Sequence, residues 1–154
     1  MIKEVVVILN PEWLEVLQFL IRLVLSLLCG LMISLAFSRE PNHSAGYFII
    51  LVTLGAALLK MVSSRIFDTQ FLFAELALFM ALILAISILA GAQIISKPGQ
   101  ANGLKTAGGI WIGGAIGLAI GSGYYIAGIF TAIVGHFLLN YMKVKTNSSI
   151  NQNH

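Results

Sequence analysis

The chain of 154 residues has few charged side chains and a single cysteine. Charged residues make up 10% of it, which is well below the share of about 25% in soluble domains. So few charged residues could not cover the surface of a water-soluble domain. The composition therefore excludes a water-soluble protein. The lone Cys29 excludes a disulfide framework and a metal site built on several thiolates. The net charge of +3 is modest, and we expect no nucleic-acid partner.

Apolar residues make up 58% of the sequence, and the mean hydropathy is +0.94. The apolar runs are continuous rather than alternating, which favours membrane-spanning helices over a transmembrane barrel. The predicted fold class is an all-α polytopic membrane protein. A single domain, a bundle of about five transmembrane helices, is predicted over residues 1–142, and a polar tail over residues 143–154.

Polar breaks between the apolar runs set the predicted helix order. Residues 1–13 form an extracytoplasmic or interfacial lead-in, with Trp13 at the headgroup level. The five predicted helices cover about residues 14–37, 46–64, 71–95, 107–121 and 124–142. The fourth is short for a bilayer core of about 30 Å, so the sequence leaves open whether it spans fully.

Five spans place the termini on opposite sides of the membrane, and the basic residues indicate which side is which. Lys3, Lys60 and Arg65 fall toward one side. The other side carries the larger set, which is Arg39, Lys97, Lys105, Lys143 and Lys145. By the positive-inside rule we expect the N-terminus outside and the C-terminus in the cytoplasm.

Glycine recurs every four residues in the fourth predicted helix. The four positions share one helix face, which we call the glycine ridge: Gly109, Gly113, Gly117 and Gly121. In a soluble helix each would cost about 0.5–1 kcal/mol relative to alanine. In a bilayer the same ridge lets a second helix approach closely. We expect a close helix crossing, with a glycine-lined path or a moving contact as the alternative.

Two rows of small residues are candidate neighbours of the glycine ridge. One lies on the first helix at Ser26, Gly30 and Ser34, which follow Arg22 at intervals of four residues. The other lies on the fifth helix, through Gly128, Ala132 and Gly135. The first row is expected to face protein, because Arg22 toward lipid would cost at least a few kcal/mol.

Three charged residues lie within the predicted spans, namely Arg22, Lys60 and Glu75. All three fall in the predicted outer half of the bilayer, with Asp68 in the adjoining turn. An Arg22–Glu75 ion pair would neutralise both charges and join the first helix to the third. The alternative is a cation or proton site on Glu75. The pair is favoured, because a hard cation prefers several oxygen ligands.

No motif for catalysis is present. The sequence has no phosphate loop, no G-x-S-x-G and no H-E-x-x-H. His136 lies in the fifth predicted helix without a second ligand nearby in sequence, which predicts a packing role. We therefore expect no catalytic residue, no metal and no cofactor, and a protein that is not an enzyme.

Residues 103–128 resemble the signature of the MgtC/SapB family of bacterial inner-membrane proteins. In that signature a Gly-Leu-x-Thr-Ala segment leads into a helix with a tryptophan and spaced glycines. The matching positions are Gly103, Leu104, Thr106, Ala107, Trp111, Gly117, Gly121 and Gly123. Looser similarity extends over about residues 20–140, through Arg22-Leu23, Ala45-Gly46 and Ala90-Gly91-Ala92 among others.

The chain also departs from the family pattern. Tyr47-Phe48-Ile49 stands where the family has Leu-Arg-Thr, and an arginine expected early in the third helix is missing. A cytoplasmic C-terminal domain is not expected after the fifth helix. Members are linked to magnesium limitation, virulence and modulation of other membrane complexes.

The resemblance and the glycine ridge together predict a non-enzymatic bacterial inner-membrane protein that acts as an interaction, regulatory or structural subunit through glycine-lined helix packing. Its expected partners are membrane lipid and either other membrane-protein subunits or further copies of itself. The alternative function is a small transporter or channel for Mg²⁺, another cation or protons.

Overall fold

The computed structural model describes residues 11–37, 44–66, 72–97 and 100–151. Over these ranges the chain forms five helices and one short hairpin. The helices are α1 (Pro11–Leu35), α2 (Ser44–Ile66), α3 (Leu72–Ala92), α4 (Leu104–Gly121) and α5 (Tyr125–Asn151). Two antiparallel strands, β1 (Ile95–Lys97) and β2 (Gln100–Asn102), connect α3 to α4. The predicted all-α membrane fold class is confirmed.

Four of the five helices are long and apolar enough to cross a membrane. Their apolar parts are Trp13–Leu35, Ala45–Arg65, Glu75–Ala92 and Leu104–Gly121. The apolar part of α5, Tyr125–Tyr141, is shorter. The orientation with the N-terminus outside stays a prediction.

The start of α4 lies three residues before the predicted one and includes Lys105. Gly103 precedes the helix with φ +92°, in the left-handed region that favours glycine. The polar residues that follow it suggested a longer loop, yet they belong to the first turn. At about 1.5 Å per residue the 18 residues of α4 extend for about 27 Å, which comes close to a full span.

The end of α5 also differs from the prediction. The helix continues to Asn151, so residues 143–151, which the sequence predicted as a polar tail after the helix, are helical. Polar composition indicates where a chain leaves the apolar phase, and a helix can continue past that point. The lead-in at residues 1–10, the loop at residues 38–43 and Asp68 lie outside the described residues.

The centre of the bundle is α4, which contacts all four other helices. Its isoleucines Ile110, Ile116 and Ile120 are fully buried. Toward α5, the glycines Gly128 and Gly135 leave room for isoleucine side chains of α4. Because no hydrophobic force drives helices together within lipid, close packing of this kind is what holds a membrane bundle together.

A Schellman turn joins α4 to α5. The backbone N–H of Gly123 donates to the carbonyl of Ile120 at 3.0 Å, and that of Tyr124 donates to Ala119 at 2.9 Å. Gly123 has φ +90°, as expected of the residue that follows a helix C-cap in this motif. The turn places the first residues of α5 beside α1, where they contact Arg22.

Candidate functional site

Every charged side chain of the described spans except Lys105 lies at one end of the bundle, together with the hydroxyl group of Tyr125. We call this set the polar end, and it consists of Glu15, Arg22, Lys60, Arg65, Glu75 and Tyr125. They come from the first half of α1, the last turns of α2 and the first turns of α3 and α5. Successive helices run in opposite directions, which brings these segments together. The hydrocarbon interior of the bilayer offers no partner to a charge, so a charge at that depth needs a partner from the protein.

Lys60 and Glu75 form an ion pair that joins α2 to α3. The Lys60 ammonium donates to Oε1 of Glu75, and the side chains stay 18% and 35% exposed. The predicted Arg22–Glu75 pair is therefore wrong. The reason is the arrangement of helices, because α3 packs against α2 and α4 and so brings its carboxylate to Lys60.

Arg22 bonds to the turn between α4 and α5 instead. Its Nε donates to the Tyr125 hydroxyl at 2.9 Å, and its Nη1 donates to the Gly121 carbonyl at 3.2 Å. That carbonyl is available because the last carbonyls of a helix have no intrahelical partner. The guanidinium carbon also lies 5.8 Å from the centre of the Tyr125 ring. Arg22 thus ties α1 to the end of α4.

Two open cavities flank these charges. One, of about 140 Å³, lies between α1 and α2 and is lined by Arg22, Arg65 and Glu15 among others. Across it Arg65 Nη1 lies 2.7 Å from Glu15 Oε2, in a pair that is largely exposed. The other cavity, of about 330 Å³, opens on Lys60 and Glu75. Over the described ranges no three side chains among His, Cys, Asp and Glu come close enough together to hold a metal ion.

The glycine ridge packs against α2 and not against either predicted row. A Cβ atom added at Gly117 would overlap the carbonyl oxygen of Thr53. One added at Gly121 would lie 2.8 Å from the carbonyl oxygen of Ala57. The two backbones are therefore in direct contact along this half of the ridge.

The other half of the ridge meets side chains. A Cβ atom at Gly113 would lie 2.8 Å from Thr53 Oγ1, and one at Gly109 would lie 2.8 Å from the tips of Ile49 and Phe37. The partner helix α2 is not among the neighbours that the sequence predicted for the ridge. The sequence of α2 does contain a pattern typical of close helix packing. Its small residues Gly46, Thr53 and Ala57 are seven and four residues apart, which places them on one face of the helix.

The small-residue row of α1 also packs on α2. A Cβ atom at Gly30 would lie 3.2 Å from Thr53 Cβ, and Ser34 Oγ contacts Gly46. Ser26 is fully buried and donates to a carbonyl of its own helix. Thr53 is thus enclosed between Gly30 and Gly113, so α2 packs against both α1 and α4 at this level. The helices α1 and α4 also contact each other directly.

The family-signature residues have different surroundings. Gly103 could not carry a side chain, because a Cβ atom there would overlap the Gln93 carbonyl oxygen. Ala107 is buried, whereas Leu104 and Trp111 are exposed on the outside of the bundle. Thr106 is partly buried. Among these five residues, the structure gives a packing reason for Gly103 and Ala107 only.

The opposite end of the bundle holds a basic and an imidazole side chain. Lys105 donates to the Ala36 carbonyl at 3.1 Å and lies 4.6 Å from the centre of the Phe37 ring. His136 Nδ1 is 2.9 Å from the Met32 carbonyl oxygen, and its Nε2 is 3.0 Å from Asn140 Nδ2. Nδ1 can donate to this carbonyl while Nε2 accepts from the Asn140 amide. His136 therefore packs α5 on α1, as predicted.

The fold and the intramembrane charges define a multi-pass helical membrane protein. The chain belongs to the MgtC family, whose model matches residues 23–148. The family resemblance drawn from the glycine-rich segment is thus confirmed.

Two curated Escherichia coli proteins are similar to the chain. They are "Putative magnesium transporter YhiD" of strain K12 and "Uncharacterized protein YhiD" of O157:H7, each 28% identical over 145 residues. The match covers 89% of this chain and 66% of each relative, so the chain spans just under two thirds of their length. No solved structure matches the chain.

Proposed function

We propose that this protein is a non-enzymatic subunit of the bacterial inner membrane that acts by associating with another membrane protein or with further copies of itself. One observation supports this most strongly. The intramembrane charges and the glycine ridge are all engaged in holding the bundle together, through the Lys60–Glu75 pair, the Arg22 hydrogen bonds and the contact of α4 with α2. Such a bundle is a scaffold rather than an ion path.

The helix best placed for association is α3. Its large exposed residues follow the helical repeat, at Phe73, Leu76, Met80, Leu84 and Ile88. Between them the small residues Ala77, Ala81 and Ala85 are also exposed and recur every four residues. Contact with lipid requires only that a face be apolar, whereas small residues at this spacing also let a partner helix approach closely.

The double variant with Ala81→Leu and Ala85→Leu tests whether α3 is the association helix. We expect the yield of folded protein to stay the same, because both side chains face outward. The fraction recovered in complexes by cross-linking in membranes should fall several-fold, since two isobutyl groups would hold the partner helix away. Ala115→Leu, at an exposed position of α4, is the matched control. Equal recovery of complexes from both variants and the wild type would exclude α3 as the association helix.

A second candidate function is cation transport. The name of the K12 relative favours it, and so does the cavity of about 330 Å³ that opens on Glu75. Ser63, which lines a smaller space beside the same ion pair, has a buried hydroxyl without a hydrogen-bond partner among the described residues. For transport, a cation would have to displace Lys60 from the Glu75 carboxylate.

A further inference from the structure

The cavity between α1 and α2 has the composition of an anion site. Five of its seven lining residues are polar or charged, namely Glu15, Gln18, Arg22, Ser64 and Arg65. Two arginines against one glutamate give it a net charge of +1. The remaining two lining residues are apolar, so the cavity meets the nonpolar interior on one side.

Arg22 supplies a charge that the described residues leave without a carboxylate. Glu15, the acidic residue of this cavity, already pairs with Arg65, and Glu75 pairs with Lys60. The partners of Arg22 are a hydroxyl and a carbonyl, which orient the guanidinium but do not neutralise it. A bound anion would remove the cost of holding this charge beside lipid.

The size of the cavity restricts the anion. Its volume of about 140 Å³ corresponds to four or five waters at about 30 Å³ each. A phosphate group fits this space, and because the cavity is open the rest of a larger ligand can lie outside it. Guanidinium N–H groups form a planar fork that suits phosphate oxygens, and the Gln18 amide adds further donors.

The position of the cavity favours a lipid as the source of that phosphate. Arg22 bonds to Gly121 and Tyr125, the last residue of one apolar span and the first residue of α5, so its guanidinium lies level with the ends of these helices. Glu15 and Arg65 are exposed and lie nearer the helix ends. Leu17, Ile21 and Val24, on the side of α1 away from the cavity, are exposed apolar residues, so this part of the helix is suited to contact with acyl chains.

We propose that the cavity between α1 and α2 binds the phosphate of an anionic phospholipid, with Arg22 as its principal ligand and Gln18 and Arg65 at its rim. The site is independent of the proposed association through α3. It assigns Arg22 a second role beside its structural bonds to the end of α4.

Lipid retention by the purified full chain tests the site. We expect native mass spectrometry to show phosphatidylglycerol retained in preference to phosphatidylcholine, and inorganic phosphate to displace it. Ser64→Leu fills the cavity from an exposed position whose hydroxyl bonds only within its own helix. The leucine side chain would keep the phosphate from its charge-assisted contact with Arg22. Ser64→Leu should therefore lower phosphatidylglycerol retention about tenfold.

Ser87→Leu is the matched control, because Ser87 makes the same type of intrahelical bond on α3 at 2.7 Å and lies away from the cavity. It should retain phosphatidylglycerol as the wild type does. Arg22→Lys, which keeps the charge and loses the fork, should also weaken retention. Equal retention by Ser64→Leu and the wild type, or no preference between the two lipids, would overturn the proposal. Binding of inorganic phosphate without lipid preference would overturn the lipid assignment and identify a free anion.

Discussion

Gly117→Ala is expected to remove most of the folded protein, although it adds only one methyl group. That methyl would overlap the Thr53 carbonyl oxygen and lie 3.1 Å from the Ala57 nitrogen. Backbone atoms cannot rotate away, so α2 and α4 would have to separate and lose many weak contacts of about 0.1–0.2 kcal/mol each. We expect a loss of about 3 kcal/mol, at the upper end of usual overpacking costs. The measurement is the thermal unfolding midpoint in mild detergent, together with the yield of folded protein.

Gly108→Ala is the matched control on the same helix. A Cβ atom at Gly108 meets nothing within 4 Å, so this variant should be as stable as the wild type or slightly more stable. Gly109→Ala should lie between the two, because the atoms it meets are the ends of the Ile49 and Phe37 side chains, which can move. If Gly117→Ala unfolds at the same temperature as Gly108→Ala, the contact between the backbones of α2 and α4 does not support the fold.

Glu75→Gln is expected to give the second large effect, because it leaves the Lys60 ammonium without its carboxylate. Breaking a fully buried pair costs about 3–5 kcal/mol. The remaining exposure of these two side chains, 18% and 35%, reduces the expected loss to about 1–3 kcal/mol. The unfolding midpoint in detergent measures it.

Two further variants separate pairing from a general effect of charge. The double variant with Lys60→Gln and Glu75→Gln should recover much of the stability that Glu75→Gln alone loses, because neither charge is then left without its partner. Glu15→Gln breaks the exposed pair with Arg65 and should change stability little. If Glu75→Gln proves no more destabilising than Glu15→Gln, the ion pair between α2 and α3 contributes nothing measurable.

Patterns within a single segment of the sequence predict the properties of that segment. Continuous apolar runs predicted the helical membrane class, and the glycine spacing predicted a close crossing on one face of α4. Both are properties of a single segment. The segment 103–128 also identified the family, because its glycines and Trp111 stand at fixed separations.

The partners across the bundle could not be obtained in this way. Arg22 and Lys60 were predicted at similar depths, so depth alone could not decide which of them meets Glu75. The choice depends on which helices are neighbours, and α3 packs on α2 and α4. The same limit applies to the glycine ridge, since helical periodicity defines its face but not the helix opposite. The small residues Gly46, Thr53 and Ala57 indicate that some helix can approach α2 closely, but their spacing does not identify that helix as α4.

Uptake of Mg²⁺ into proteoliposomes tests the central claim most directly, because it separates a scaffold from a transporter. The account predicts that vesicles containing the folded wild-type chain take up no more Mg²⁺ than vesicles without protein. The Glu75→Gln variant should then behave identically. Saturable uptake by the wild type that is lost in a folded Glu75→Gln protein would contradict the account and assign the Lys60–Glu75 pair to a cation pathway.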